Sequence, residues 1–151
     1  MTLRVYSVCI IILLAASCKP KDQRIIDREK KITGLPAGDE KFLALKDTAQ
    51  KYMDEFITSF NKNSHNGDYD FRIKSNYSDK GINEHMWSLP VAYKNDVFTC
   101  IFTDSAYNVH NVVTGDTVQI GRKEIEDWVI YNYSDSTQQG YFSEKYLRGE
   151  E

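Results

Sequence analysis

Cysteine is scarce in this 151-residue chain, which has only Cys9, Cys18 and Cys100. Past residue 20 a single thiol remains, so no internal disulfide can form there. Neither a Cys-x-x-Cys pair nor two histidines at helical spacing occurs, and His65, His85 and His110 stand far apart, so the spacing that marks zinc is missing. No Gly-x-Ser-x-Gly elbow is present, which leaves a Ser/His/Asp triad without local support, although its members need not be near in sequence. Positive charge is not in excess: 19 Lys and Arg stand against 22 Asp and Glu, for a net charge of −3. Nucleic acid, which calls for a basic face, is therefore not an expected partner. The longest apolar run, Val5 to Leu14, is too short for a hydrocarbon core that needs roughly 20 residues. No metal or other cofactor is expected.

The N-terminus carries a clear pattern. Met1 to Arg4 is a short positive region, the apolar run follows, and small residues come next, as in a secretory signal. Leu14-Ala15-Ala16-Ser17-Cys18 resembles the lipobox of bacterial lipoproteins. That resemblance implies cleavage before Cys18 and acylation of its sulfur, palmitate included. Two or more acyl chains hold a protein firmly at a membrane. The expected organisation is a signal peptide at 1–17, a lipidated cysteine and flexible tether at 18–38, and a globular domain at 39–151. The expected location is the cell envelope, anchored to the outer membrane and facing the periplasm or the surface. The tether, with Pro20, Gly34, Pro36 and Gly38 as breakers, has a reach of roughly 25 Å. Ile25 and Ile26 allow at most a short helix.

Asp39 is the expected N-cap of a helix on which Phe42, Leu45, Ala49, Tyr52, Met53, Phe56, Ile57 and Phe60 form one apolar stripe. The spacing predicts about six continuous turns, ending near Asn61. Tyr69 to Tyr77 then alternates cleanly between apolar and polar residues, the mark of a half-buried strand. The next stretch, Ile82 to Tyr93, predicts a strand with His85, Trp87, Leu89, Val91 and Tyr93 facing inward. Val97 to Thr103 reads as a third strand with Cys100 as a small core residue, and Asp104 to Thr114 as a loop. Thr117 to Gly121 and Ile125 to Tyr133 read as further strands, and a short helix follows Gly140. Connections this short favour antiparallel neighbours. The expected fold is α+β, with an N-terminal amphipathic helix packed on one face of an antiparallel sheet of about five strands, cystatin-like in outline.

Glu84-His85-Met86-Trp87, Gly115-Asp116-Thr117-Val118, Ile125-Glu126-Asp127-Trp128 and Gly140-Tyr141-Phe142, taken in order, resemble the YegJ-like domain of bacteria. The likeness runs from about Phe42 to Arg148 and implies a fold type and a bacterial source. It brings no established reaction. On physical grounds, Glu84 and His85 are neighbours on a strand and point to opposite faces, so an acid–base pair between them requires a bulge. A buried His85 needs a partner, such as a backbone carbonyl or the Asp127 carboxylate. Trp87 and Trp128 are expected between helix and sheet, and Tyr131, Tyr133 and Tyr141 nearer the surface. The candidate binding residues are Glu84, His85, Trp87, Asp127 and Trp128, with Cys18 as the lipidation site. The leading expectation is a lipid-anchored binding module with a protein partner, of inhibitor or immunity type. The rival is an envelope hydrolase using His85 with Glu84 or Asp127, and a purely structural role is the third reading.

Overall fold

The computed structural model describes residues 25–27, 32–36 and 38–150. The expected signal peptide, Cys18 and much of the expected tether lie outside them. Within the tether, β1 (Ile25–Asp27) pairs antiparallel with β2 (Ile32–Gly34), where the sequence allows at most a short helix. The Thr33 hydroxyl donates to the Leu147 carbonyl, tying this ribbon to the far end of the chain.

Asp39 caps the first helix, its Oδ1 accepting the Phe42 N–H at 2.8 Å. The predicted single helix is in fact two, α1 (Glu40–Lys51) and α2 (Met53–Asn63), broken at Tyr52. There the backbone takes φ −99° and ψ 11°, and Glu55 N–H bonds Tyr52 O at 3.1 Å, a tight turn between longer ones. The stripe survives the break, for Ala49, Met53, Phe56 and Phe60 are all buried.

The main sheet has six strands: β3 (Tyr69–Asp79), β4 (Ile82–Lys94), β5 (Val97–Phe102), β6 (Thr117–Gly121), β7 (Ile125–Asn132) and β8 (Thr137–Gly140). Their order is β6-β5-β4-β3-β7-β8, antiparallel throughout. The strand beyond the five expected is β8, whose Thr-Gln-Gln-Gly has no apolar residue to announce it. Two-residue turns close the first two hairpins, with positive φ at Lys80 and Gly81 and again at Asn95 and Asp96, as twisted hairpins require.

The sheet cannot be flat. β6 and β7 stand four strand spacings apart in the ladder, roughly 19 Å if the sheet were level. Yet a single 3₁₀ turn, Arg122–Glu124, joins them, and such a turn rises only about 2 Å per residue. The sheet therefore curls until β6 comes round toward β7. Bulges assist: one residue of β7, Glu126, is extra opposite Lys74 and Ser75, and β4 shifts register between Pro90 and Ala92.

One side of the curl meets α1 and α2. Its core joins Met53, Phe56 and Phe60 to Phe71, Ile73, Phe98, Cys100, Trp128 and Ile130. Phe56 alone touches the rings of Phe60, Phe71, Phe98 and Trp128, at 5.4 to 6.3 Å. Cys100 is fully buried here, and burial pushes its thiol up to about 12. A second cluster of Met86, Phe102, Val109 and Val112 packs the 103–116 loop onto the same side.

The inward face of β4 is opposite to the one expected. Met86, Ser88 and Pro90 are buried on the helix side, and His85, Trp87 and Leu89 lie on the second face. Only Tyr93, past the bulge, joins the core, 4.3 Å from Phe98. Ser88 tolerates the interior because its hydroxyl pairs with Tyr77 Oη at 2.6 Å. The second face is covered in part by the C-terminal segment, which ends in α3 (Glu144–Arg148).

Candidate functional site

Glu84 and His85 diverge, as adjacent strand residues must. Glu84 lies on the loop side and accepts from Tyr107 N–H at 2.9 Å, Asn108 N–H at 2.7 Å and Asn108 Nδ2 at 3.0 Å. Asp79 accepts from His110 N–H at 3.1 Å nearby. Together these carboxylates fasten the 103–116 loop over Met86 and Phe102.

His85, on the second face, pairs through Nδ1 with Glu126 Oε2 at 2.5 Å, and Lys46 reaches the other oxygen at 3.3 Å. The Phe42 ring meets the imidazole edge-on at 5.0 Å. The carboxylate partner is thus Glu126, which the bulge in β7 makes available, and not Asp127. α1 passes the end of β7 here: its Phe42 and Lys46 meet the His85 pair, while its Ala49 carbonyl accepts the Trp128 indole N–H at 2.9 Å. Trp128 is in the helix–sheet core, as expected for it. Trp87 is not, and its ring stacks on Tyr141 at 5.7 Å on the second face.

Around Trp87 the second face gathers charge. Lys74, opposite Trp87 in the ladder, places its ammonium 4.9 Å from the indole centroid and 3.0 Å from Glu144 Oε2. Burial would raise the Glu144 carboxyl. Lys74, and hydrogen bonds from Arg148 and Lys74, hold it below its ordinary value instead. Arg148 also donates to Tyr141 Oη at 3.0 Å, and burial pushes that phenol up to about 12.

Asp127 is the anchor of the segment. It is fully buried and accepts from Trp128 N–H at 2.8 Å, Phe142 N–H at 3.1 Å, Ser143 N–H at 2.8 Å and Ser143 Oγ at 2.6 Å. Burial raises its pKa against the pull of those donors. A carboxylate so occupied has little left to offer a substrate.

The structure therefore brings Trp87 and Asp127 to one cluster, places His85 beside it, and separates Glu84 and Trp128 onto the other side. Lys74, Glu126, Ser143 and Glu144 belong to the site but escape a reading of the sequence. Lys74 falls on the polar side of a cleanly alternating strand, where a solvated lysine is the ordinary expectation. Among the described residues, no three His, Cys, Asp or Glu side chains gather as a metal-binding group.

Residues 39–150 match the profile of DUF2314, described as an uncharacterized protein conserved in bacteria. The chain belongs to the DUF2314 family. No curated protein and no solved structure matches it.

Proposed function

We propose that this chain is a lipid-anchored binding module of the bacterial cell envelope, acting on a protein partner in the manner of an inhibitor or immunity protein. The lipobox-like Leu14-Ala15-Ala16-Ser17-Cys18 supports the anchor. One observation carries the choice of binding over hydrolysis. Both carboxylates that a hydrolase would pair with His85 are engaged in holding the fold, Glu84 to the loop and Asp127 to the C-terminal segment, and His85 pairs with Glu126 instead. Surface is then offered through aromatics such as Tyr133 and through strand edges, the materials of recognition. The test is expression of the full chain and its Cys18→Ala variant in bacteria fed labelled palmitate. Label and membrane retention that vanish with Cys18→Ala support the anchor; retention without label overturns it.

A further inference from the structure

β3 and β6 face each other across a seam that no ladder closes. β7 pairs with β3 only as far as Ser75, so among the described strands Asn76 to Asp79 pair with β4 alone. β6 is the terminal strand on its side, and the curl of the sheet carries it round to this unpaired half of β3. Between them lies a cleft of about 450 Å³, lined by Ser75 through Ser78 and by Asp116 through Ile120. Alternate residues would mark the face of a strand; consecutive residues mark its edge. The cleft is walled by two strand edges, and Asn111 and Val112 of the 103–116 loop also line it.

Hydrogen-bond parity fixes which backbone groups point into it. Phe102 N–H donates to Asp116 O, and Arg122 N–H to Asp96 O, each at 2.8 Å. Asp116, Val118 and Ile120 therefore address β5, and Thr117 and Gln119 address the seam. Across from them, the two-residue turn makes Asp79 and Ile82 a bonded pair, so Asn76 and Ser78 direct their backbone groups away from β4. Of these, the Ser78 carbonyl accepts Asn111 Nδ2 at 2.9 Å. The inner wall is apolar, with Tyr77, Val118 and Ile120. Among the described residues the lining also includes Asp116 and Glu124, and no Lys, Arg or His. Each carboxylate uses one oxygen on its own turn, Asp116 for Val113 N–H and Glu124 for Gly121 N–H.

We propose that this seam binds an extended peptide by strand addition, its backbone bonding Gln119 and Thr117 on one side and Asn76 and Ser78 on the other. Apolar side chains of the peptide point inward, and a lysine or arginine beside them meets Asp116 and Glu124. Because β3 and β6 run antiparallel to each other, the guest is parallel to one edge and antiparallel to the other. The proposal rests on the binding-module reading and gives it a place and a partner class.

The test uses the full chain in detergent micelles and a fluorescein-labelled peptide, acetyl-Lys-Val-Thr-Val-Thr-Val-Lys-amide, followed by anisotropy. A second peptide is N-methylated at alternate amides, which removes edge bonds and keeps every side chain. A third carries Glu for Lys. Saturable binding is expected, weaker by roughly tenfold or more for the N-methylated peptide, since about two hydrogen bonds are lost. Gln119→Pro, tolerable on an edge strand, should weaken it similarly, and Asp116→Asn with Glu124→Gln should erase the preference for Lys over Glu. Slowed amide exchange at Gln119 and Ser78 would locate the guest. Absence of saturable binding overturns the proposal. Binding indifferent to N-methylation and to Gln119→Pro also overturns it, while leaving the wider binding reading intact. Self-association abolished by Gln119→Pro would assign the seam to a second copy, and overturn the peptide.

Discussion

Lys74 on β3 and Glu144 at the start of α3, 70 residues apart, form an ion pair at 3.0 Å whose side chains are only 6% and 12% exposed. Buried charge is tolerated here because each partner is satisfied twice over. Lys74 also lies on the Trp87 ring, and Glu144 also accepts Arg148 Nε at 2.8 Å. The pair fixes the C-terminal segment onto the second face of the sheet.

Removing one partner strands the other. Lys74→Ala or Glu144→Ala should each cost about 3–5 kcal/mol in denaturant unfolding, whereas Lys74→Met combined with Glu144→Leu should recover most of that loss. A double variant that costs as much as the two single variants added together would show that the pair is not coupled.

The same region sets the acid limb of stability. Glu144 titrates below its ordinary value in the folded state, so its contribution is present above that ordinary value and is lost as pH falls through the folded one. Asp127 is shifted the other way by burial. The folded state holds that proton more tightly, so Asp127 loses stability as pH rises from its ordinary value toward its folded one. Unfolding free energy measured against pH should therefore show a flatter acid loss in Glu144→Gln and a steeper one in Asp127→Asn.

Gly140 admits no side chain. Its φ is +81°, and an added Cβ would meet the Trp128 carbonyl oxygen at 2.1 Å and the Trp128 ring at 2.5 Å. Gly140→Ala should cost more than about 3 kcal/mol and should expose Trp128, read as a red shift of its fluorescence.

Phe56 tests the helix stripe. It is fully buried among four aromatic rings, so Phe56→Asp places an unpaired carboxylate in the core and should unfold the domain. An unchanged melting profile would contradict the packing described.

Strand positions were legible because alternation and turn residues are local signals. β6 falls at Thr117–Gly121 as read, and the hairpin turns stand where Gly81 and Asn95-Asp96 interrupt the pattern. The facing of β4 was not legible, because both of its faces are partly covered. His85, Trp87 and Leu89 outweigh Met86, Ser88 and Pro90 in apolar character, yet Trp87 stacks on Tyr141 of the C-terminal segment and His85 meets Phe42 and Glu126, while Met86, Ser88 and Pro90 are buried on the opposite face. A hydroxyl pair with Tyr77 makes Ser88 a core residue, and a bulge returns Tyr93 to the interior. The partner of His85 was hidden for the same reason, since the bulge that presents Glu126 depends on strand pairing. The break at Tyr52 has neither Pro nor Gly to mark it.

The most direct measurement is the thermal midpoint of the full chain against Glu84→Ala, His85→Ala and Asp127→Ala. If these groups hold the fold, all three fall: Asp127→Ala furthest, Glu84→Ala by roughly 6–12 °C for a loss of about 2 kcal/mol, and His85→Ala least. A variant that is neutral or more stable than the parent would contradict the account, for its side chain would then be kept for chemistry and not for structure.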